Sequence, residues 1–207
     1  MRRPLITKKE YRRIGQIFNW AFKSHYVIWL LGELRRHHRS DQILKELEDG
    51  NELNTAWYNG FKVYAVPRIS KGEYWNIEHG LGVTECLVRF HLADPTGIII
   101  PERKFKGRVK ADLGFLYKDS ELRVEFCTSD NSRRLGVVKS KISRYSSINS
   151  VILFVMDIPR EDVRQIASNY SGDKFFFIDF ETFKNIPLGR ALQDKVYFWG
   201  EEVTSLR

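Results

Sequence analysis

Between residues 98 and 180 the apolar pattern switches period in an order that few sheets can accommodate. Runs rich in β-branched and aromatic residues cover Ile98–Phe105, Val109–Tyr117 and Leu122–Thr128, with the polar turn Lys118-Asp119-Ser120 between the last two. A helical stretch follows over Ser132–Ser146, with Leu135, Val138, Ile142 and Tyr145 on one stripe. Then come an apolar strand at Val151–Met156, a helix at Arg160–Tyr170 and a strand at Phe175–Phe180. A helix over residues 79–92, carrying Leu81, Val83, Leu87, Val88 and Phe90, precedes them and is closed by Asp94-Pro95-Thr96-Gly97. Apolar spacing near 3.6 marks the helices, and β-type runs bounded by turn residues mark the strands. One helix, three strands and then helix–strand–helix–strand predicts a mixed α/β sheet with helical crossovers.

The first third of the chain reads differently. Thr7-Lys8-Lys9-Glu10 has the form of a capping box, which opens a helix running to about Phe22. Ser24 caps a second helix ending near Glu33, and Ser40 a third, with Ile43, Leu44 and Leu47 as its apolar face and Gly50 as its stop. Leu53–Tyr58 and Phe61–Val66 flank Asn59-Gly60, a strong hairpin signal. Three helices and a hairpin is the order of a winged helix-turn-helix. The polar stretch Pro67–Glu73 reads as a linker, so two domains are expected, 1–73 and 74–207.

Charge is distributed unevenly over these parts. The 207 residues hold 34 Lys+Arg and 26 Asp+Glu, a formal surplus of +8, and residues 1–39 alone carry that whole surplus. Clustered Lys and Arg is the electrostatic footprint of nucleic-acid binding, although a solvated or partner-binding helix face has the same composition. On the winged-helix reading, Arg36, Arg39 and Lys45 contact phosphates, His38 and Gln42 read bases, and Arg35 and Lys62 are further DNA-binding residues. Arg103, Lys106 and Arg134, with Lys104, Arg108, Lys110 and Arg133, form a second basic strip leading into the Asp112 strand, suited to hold the DNA backbone or, alternatively, to serve as a charged edge that discourages aggregation. No apolar run is long enough to span a bilayer, and the N-terminal residues lack a signal stretch, so a cytoplasmic, nucleoid-associated protein is expected. Cys86 and Cys127 are too few for a disulfide scaffold, and neither forms a zinc-spaced ligand pair with His79 or His91.

Three acids interrupt the second domain. Asp112 breaks the run Val109–Phe115, Glu125 breaks Leu122–Cys127, and Glu85 sits on the preceding helix. Carboxylates on neighbouring strands can converge as hard oxygen ligands for Mg²⁺ or Mn²⁺, with water and substrate phosphate completing the shell. The plainer alternative pairs them with Lys110 and Arg123 as surface salt bridges. His79, at a helix start, is suited to contact DNA or to shuttle a proton, or equally to pack against Trp75. Tyr145 lies on the apolar stripe of its helix, which favours core packing over a role as nucleophile.

The order helix–strand–Asp–strand–Glu–helix, with Ala111-Asp112 and Glu125-Phe126-Cys127, resembles the PD-(D/E)xK, or restriction-endonuclease-like, superfamily. Read with residues 77–85 and Lys141-Ile142-Ser143-Arg144-Tyr145, it also resembles the replication-relaxation family of mobile elements, and the related mobilisation relaxases. The resemblance spans roughly residues 8–157 and implies a winged helix ahead of a nuclease-like domain. It implies Asp112 and Glu125 as metal ligands, Glu85 assisting, and a catalytic lysine. Ala111 stands where the superfamily has proline, and Cys127 stands where it has that lysine. A neutral thiol neither orients water nor stabilises a transition state well. Lys141 on the following helix is the substitute, with Lys139 behind it on the other flank of the stripe.

The leading expectation is therefore a DNA-binding protein of a plasmid, phage or other mobile element that nicks or cleaves duplex DNA with Mg²⁺ or Mn²⁺. A catalytically inactive DNA-binding factor for replication initiation, relaxosome assembly or transcription is the second reading. A protein-interaction module is the third, and a homodimer or a partner protein of the same element is the further assembly open to it. Residues 181–207, with Phe183, Phe198 and Trp199, either close the core or mediate dimerisation.

Overall fold

A computed structural model of the chain describes residues 22–23, 40–51, 54–58, 61–65, 77–93, 98–101, 110–117, 120–128, 135–148, 150–170, 174–185, 195–198 and 201–204. The chain divides into two compact units, Met1–Thr84 and Glu85–Arg207.

In the first unit, helix α1 covers Ser40–Asp49 and buries Leu47. Its C-terminus is closed by Asn51, whose φ of 57° is left-handed and whose N–H donates to Glu48 O at 2.9 Å. Gly50 directly follows the last helical residue, as the sequence pointed to, and the left-handed Asn51 comes next, on a residue type that tolerates it. Strands β2 (Asn54–Tyr58) and β3 (Phe61–Ala65) pair antiparallel, and the Tyr58↔Phe61 pair leaves a two-residue connection at Asn59-Gly60. Thr55 Oγ1 donates to Glu48 Oε1 at 3.0 Å and ties this hairpin to α1. A two-residue strand β1, Phe22–Lys23, pairs with Tyr64 and Val63 of β3. Phe22 is therefore extended where a helix end was expected, because β3 offers it a sheet edge to pair with. The first two expected helices otherwise lie outside the described residues.

Helix α2 spans Ile77–Ala93, and the division between the units falls within it. In the second unit, strands β4 (Ile98–Pro101), β5 (Leu113–Tyr117), β6 (Ser120–Cys127), β7 (Val151–Met156) and β8 (Phe175–Asp179) form one sheet in that order. The pairs β4–β5 and β5–β6 are antiparallel, and β6–β7 and β7–β8 are parallel. Parallel neighbours need crossovers, which helices α3 (Leu135–Tyr145) and α4 (Arg160–Tyr170) provide.

Strand periodicity sorts the side chains into two faces. On one face, Ile152, Phe154 and Met156 of β7 and Phe177 of β8 form a buried cluster. Val138 and Tyr145 of α3 and Val163, Ile166 and Ala167 of α4 join it. Phe154 stacks on Phe177 at 5.1 Å and meets Tyr145 edge-on at 6.4 Å. On the other face, Phe90 of α2 packs on Phe115 at 5.0 Å and on Phe183 at 6.0 Å. Phe183 belongs to α5 (Phe180–Asn185), a short helix that the sequence reading left unassigned. Asp179 caps it, its Oδ1 accepting from Thr182 N at 2.8 Å. Phe183 closes this side of the core, as one of the two expectations for the C-terminal stretch had it. Strands β9 (Lys195–Phe198) and β10 (Glu201–Thr204) add a separate antiparallel hairpin. Among the described residues no helix is long and apolar enough to cross a membrane.

One expected strand is shorter than its sequence suggests. Val109–Tyr117 reads as a single run, yet β5 begins only at Leu113, after a lone bridge at Lys110 and a bend at Asp112. The cause is the Asp112 side chain, which takes a backbone hydrogen bond from β6, as the site geometry shows.

Candidate active site

The antiparallel β5–β6 register sets Leu113 opposite Val124. The start of β5 therefore lies beside the end of β6, and Asp112 arrives next to Glu125 and Phe126. Phe126 N donates to Asp112 Oδ2 at 2.9 Å, so the carboxylate continues the hydrogen bonding where the ladder stops. Glu125 and Cys127, two residues apart on β6, point to the face covered by α3, where Cys127 joins the buried cluster. Glu125 is only 3% exposed.

A buried carboxylate needs partners, and α3 supplies two. Lys141 Nζ donates to Glu125 Oε2, and Tyr145 OH donates to Glu125 Oε1. The tyrosine oxygen also lies 3.1 Å from Lys110 O. Lys141 and Tyr145 are four residues apart, one helical turn, so both reach the same strand residue.

The electrostatics of this cluster are asymmetric. Burial, then the nearby Asp112 charge, pushes the Glu125 carboxyl up to about 7, against the opposing pull of Lys141 and Tyr145. Burial alone would lower the Lys141 pKa. The negative charges it faces (a Cys127 thiolate once formed, Glu125 and Asp112), and its hydrogen bond to Glu125, outweigh burial and raise it. The two partners thus shift in senses that favour opposite forms of Glu125. The reason is unequal exposure: the lysine side chain keeps 21% of its surface in solvent, whereas the carboxylate keeps 4%. Burial likewise pushes the Cys127 thiol up to about 12, with Lys141 opposing, and raises Tyr145 well above its ordinary value, with Glu125 adding to the effect. Cys127 is thus a neutral thiol at ordinary pH.

Of the four residues expected to act together, the structure gathers three: Asp112, Glu125 and Lys141. Glu85 lies half-buried on α2 and shares with Asp112 the neighbourhood of Cys86, whose thiol is raised by burial and then by these two acids. It does not complete a ligand triad with the other two, since no group of three His, Cys, Asp or Glu side chains among the described residues is arranged to hold a metal. Asp112 and Glu125 nevertheless suit Mg²⁺ or Mn²⁺ by chemistry. Both are hard oxygen donors, close enough for one to raise the other, and such ions are commonly held by one or two carboxylates plus water and phosphate.

The remaining sites fall elsewhere. Lys45 is exposed on α1, and Lys139 is exposed on α3. Gln42 lies on α1, and Lys62 lies on β3 opposite Trp57, which is 73% exposed. His79 is half-buried in the first turn of α2. Arg35, Arg36, His38, Arg39, Arg103, Lys106 and Arg134 lie outside the described residues. The sequence reading missed the Tyr145 hydroxyl as a Glu125 partner. The signal was present in its spacing of four from Lys141, but the apolar stripe concealed it. Comparison with family models, with curated proteins and with solved structures finds no match.

Proposed function

We propose that this chain is a DNA-binding protein whose second unit hydrolyses phosphodiester bonds with Mg²⁺ or Mn²⁺. One observation carries the reading: an amine from α3 reaches Glu125 beside Asp112, although the strand position that would ordinarily supply the lysine holds Cys127. Two acids and a lysine converge, with the lysine delivered from a helix. The order helix, antiparallel three-strand meander, helix, parallel strand supports the restriction-endonuclease-like assignment. The basic surplus of residues 1–39 supports an anionic partner for the first unit, read as a winged helix. Membership of the replication-relaxation family, and work in plasmid replication or mobilisation, are proposed on the sequence resemblance alone.

In the proposed reaction Asp112 and Glu125 hold the cation, which when bound supplies charge stabilisation and a more acidic water. Phe126 N–H fixes the Asp112 carboxylate in place. Lys141 balances the negative charge of the two acids and is positioned to neutralise charge on a phosphate. The second reading, a DNA-binding factor without hydrolytic activity, draws on the engagement of both Glu125 oxygens within the protein and on the inert Cys127 thiol.

Nicking of supercoiled plasmid with Mg²⁺ or Mn²⁺ separates the two. Wild type converts supercoiled to open-circle DNA, Asp112→Ala and Glu125→Ala abolish conversion, and Lys141→Met slows it by about 100-fold or more, the scale of losing one charge-stabilising group. Conversion that is absent in wild type, or unchanged in the acid variants, rejects hydrolysis.

A further inference from the structure

Lys141 and Tyr145 grip opposite oxygens of a single carboxylate from one helix face. The Tyr145 hydroxyl also lies within hydrogen-bond distance of Lys110 O, on the segment that leads into Asp112. A ring needed only to fill the cluster around Phe154 would be served by phenylalanine, and would leave no buried hydroxyl to satisfy. Building on the reading of Asp112 and Glu125 as metal ligands, we propose that Tyr145 is a positioning residue. Its hydroxyl donates its one proton to the Glu125 carboxylate and fixes that ligand in a single rotamer beside Asp112, ready for a divalent cation.

The physical basis is preorganisation. A carboxylate already held in one rotamer loses less freedom when it binds an ion. Groups that orient a metal ligand without touching the metal alter affinity by about 10–100-fold. Lys141 acts in the opposite sense, because its positive charge occupies the neighbourhood that a cation would enter.

The test is Mn²⁺ binding by isothermal calorimetry, without DNA. Tyr145→Phe keeps the ring against Phe154 and removes one oxygen. It is expected to weaken Mn²⁺ binding by about tenfold with unchanged far-ultraviolet circular dichroism, whereas Lys141→Met strengthens it and Asp112→Ala abolishes it. If Tyr145→Phe binds Mn²⁺ like wild type while Asp112→Ala does not bind, the positioning role is overturned and the metal reading stands. If wild type binds no Mn²⁺, or Asp112→Ala binds it unchanged, both are overturned. Should Tyr145→Phe fail to fold, 3-fluorotyrosine placed at position 145 gives a single fluorine resonance in an otherwise native protein. That resonance is expected to shift in step with Mg²⁺ binding, and one that stays fixed while Mg²⁺ binds overturns the role.

Discussion

Burial and the Asp112 charge push the Glu125 carboxyl up, Lys141 and the Tyr145 hydrogen bond pull it down, and the upward push prevails. The carboxyl is held near 7 in the folded chain against its ordinary value of 4.5, so the folded state binds this proton more tightly than the unfolded state does. The resulting contribution to stability is fully present below pH 4.5 and is lost as pH rises through about 7. Lys141, whose pKa is raised, stays charged throughout that window and adds no slope there. Urea unfolding in EDTA should therefore show wild type losing about 2–3 kcal/mol between pH 4.5 and 8 relative to Glu125→Gln. Parallel pH profiles for the two proteins would refute this account of Glu125. At this scale the two acids were legible, because a carboxylate that interrupts an apolar run is conspicuous. Tyr145 was not, since a phenol on a helical stripe looks the same whether or not its oxygen has work to do.

Strand β7 is the element on which the second unit depends most. Val151–Met156 is a continuous apolar run because both its faces are covered, Leu153 and Val155 being as buried as Ile152 and Phe154. Phe154 meets Tyr145, Phe175 and Phe177, so Phe154→Ala should cost about 3–5 kcal/mol in denaturant unfolding. A loss below about 1 kcal/mol would show that this face does not hold the sheet together. Elements with long, clear periodicity (α2, α3, β7, α4) were readable from the chain. The start of β5 was not, because a side chain replaced the ladder at Asp112, and hydrophobic pattern carries no record of that exchange. Nor was α5, whose six residues are too few to show a period. Its cap, Asp179, looks from sequence like the polar end of a strand.

Along the sequence, the net charge and the acid–lysine cluster fall in different parts of the chain. The basic surplus lies in residues 1–39, of which only Phe22–Lys23 are described, while the acid–lysine cluster lies in the second unit. On the proposed function, DNA affinity and hydrolysis should therefore respond to different variants. Affinity for duplex DNA should fall steeply with salt, and Arg36→Ala with Arg39→Ala should reduce the slope of log affinity against log salt by about two, close to one per phosphate contact. Filter binding at several salt concentrations measures this, and a salt-independent or absent complex would reject the phosphate-binding role.

The candidate site also has a consequence for how the chain folds. Its hydrogen bonds join residues 14, 16, 20 and 35 positions apart, all within residues 110–145. Loops that short close with little entropy and in well under a microsecond, about 10–100 ns for ten residues. The polar contacts of Asp112, Glu125, Lys141 and Tyr145 are thus all drawn from one continuous stretch of chain, so the site's hydrogen bonding is encoded between Lys110 and Tyr145.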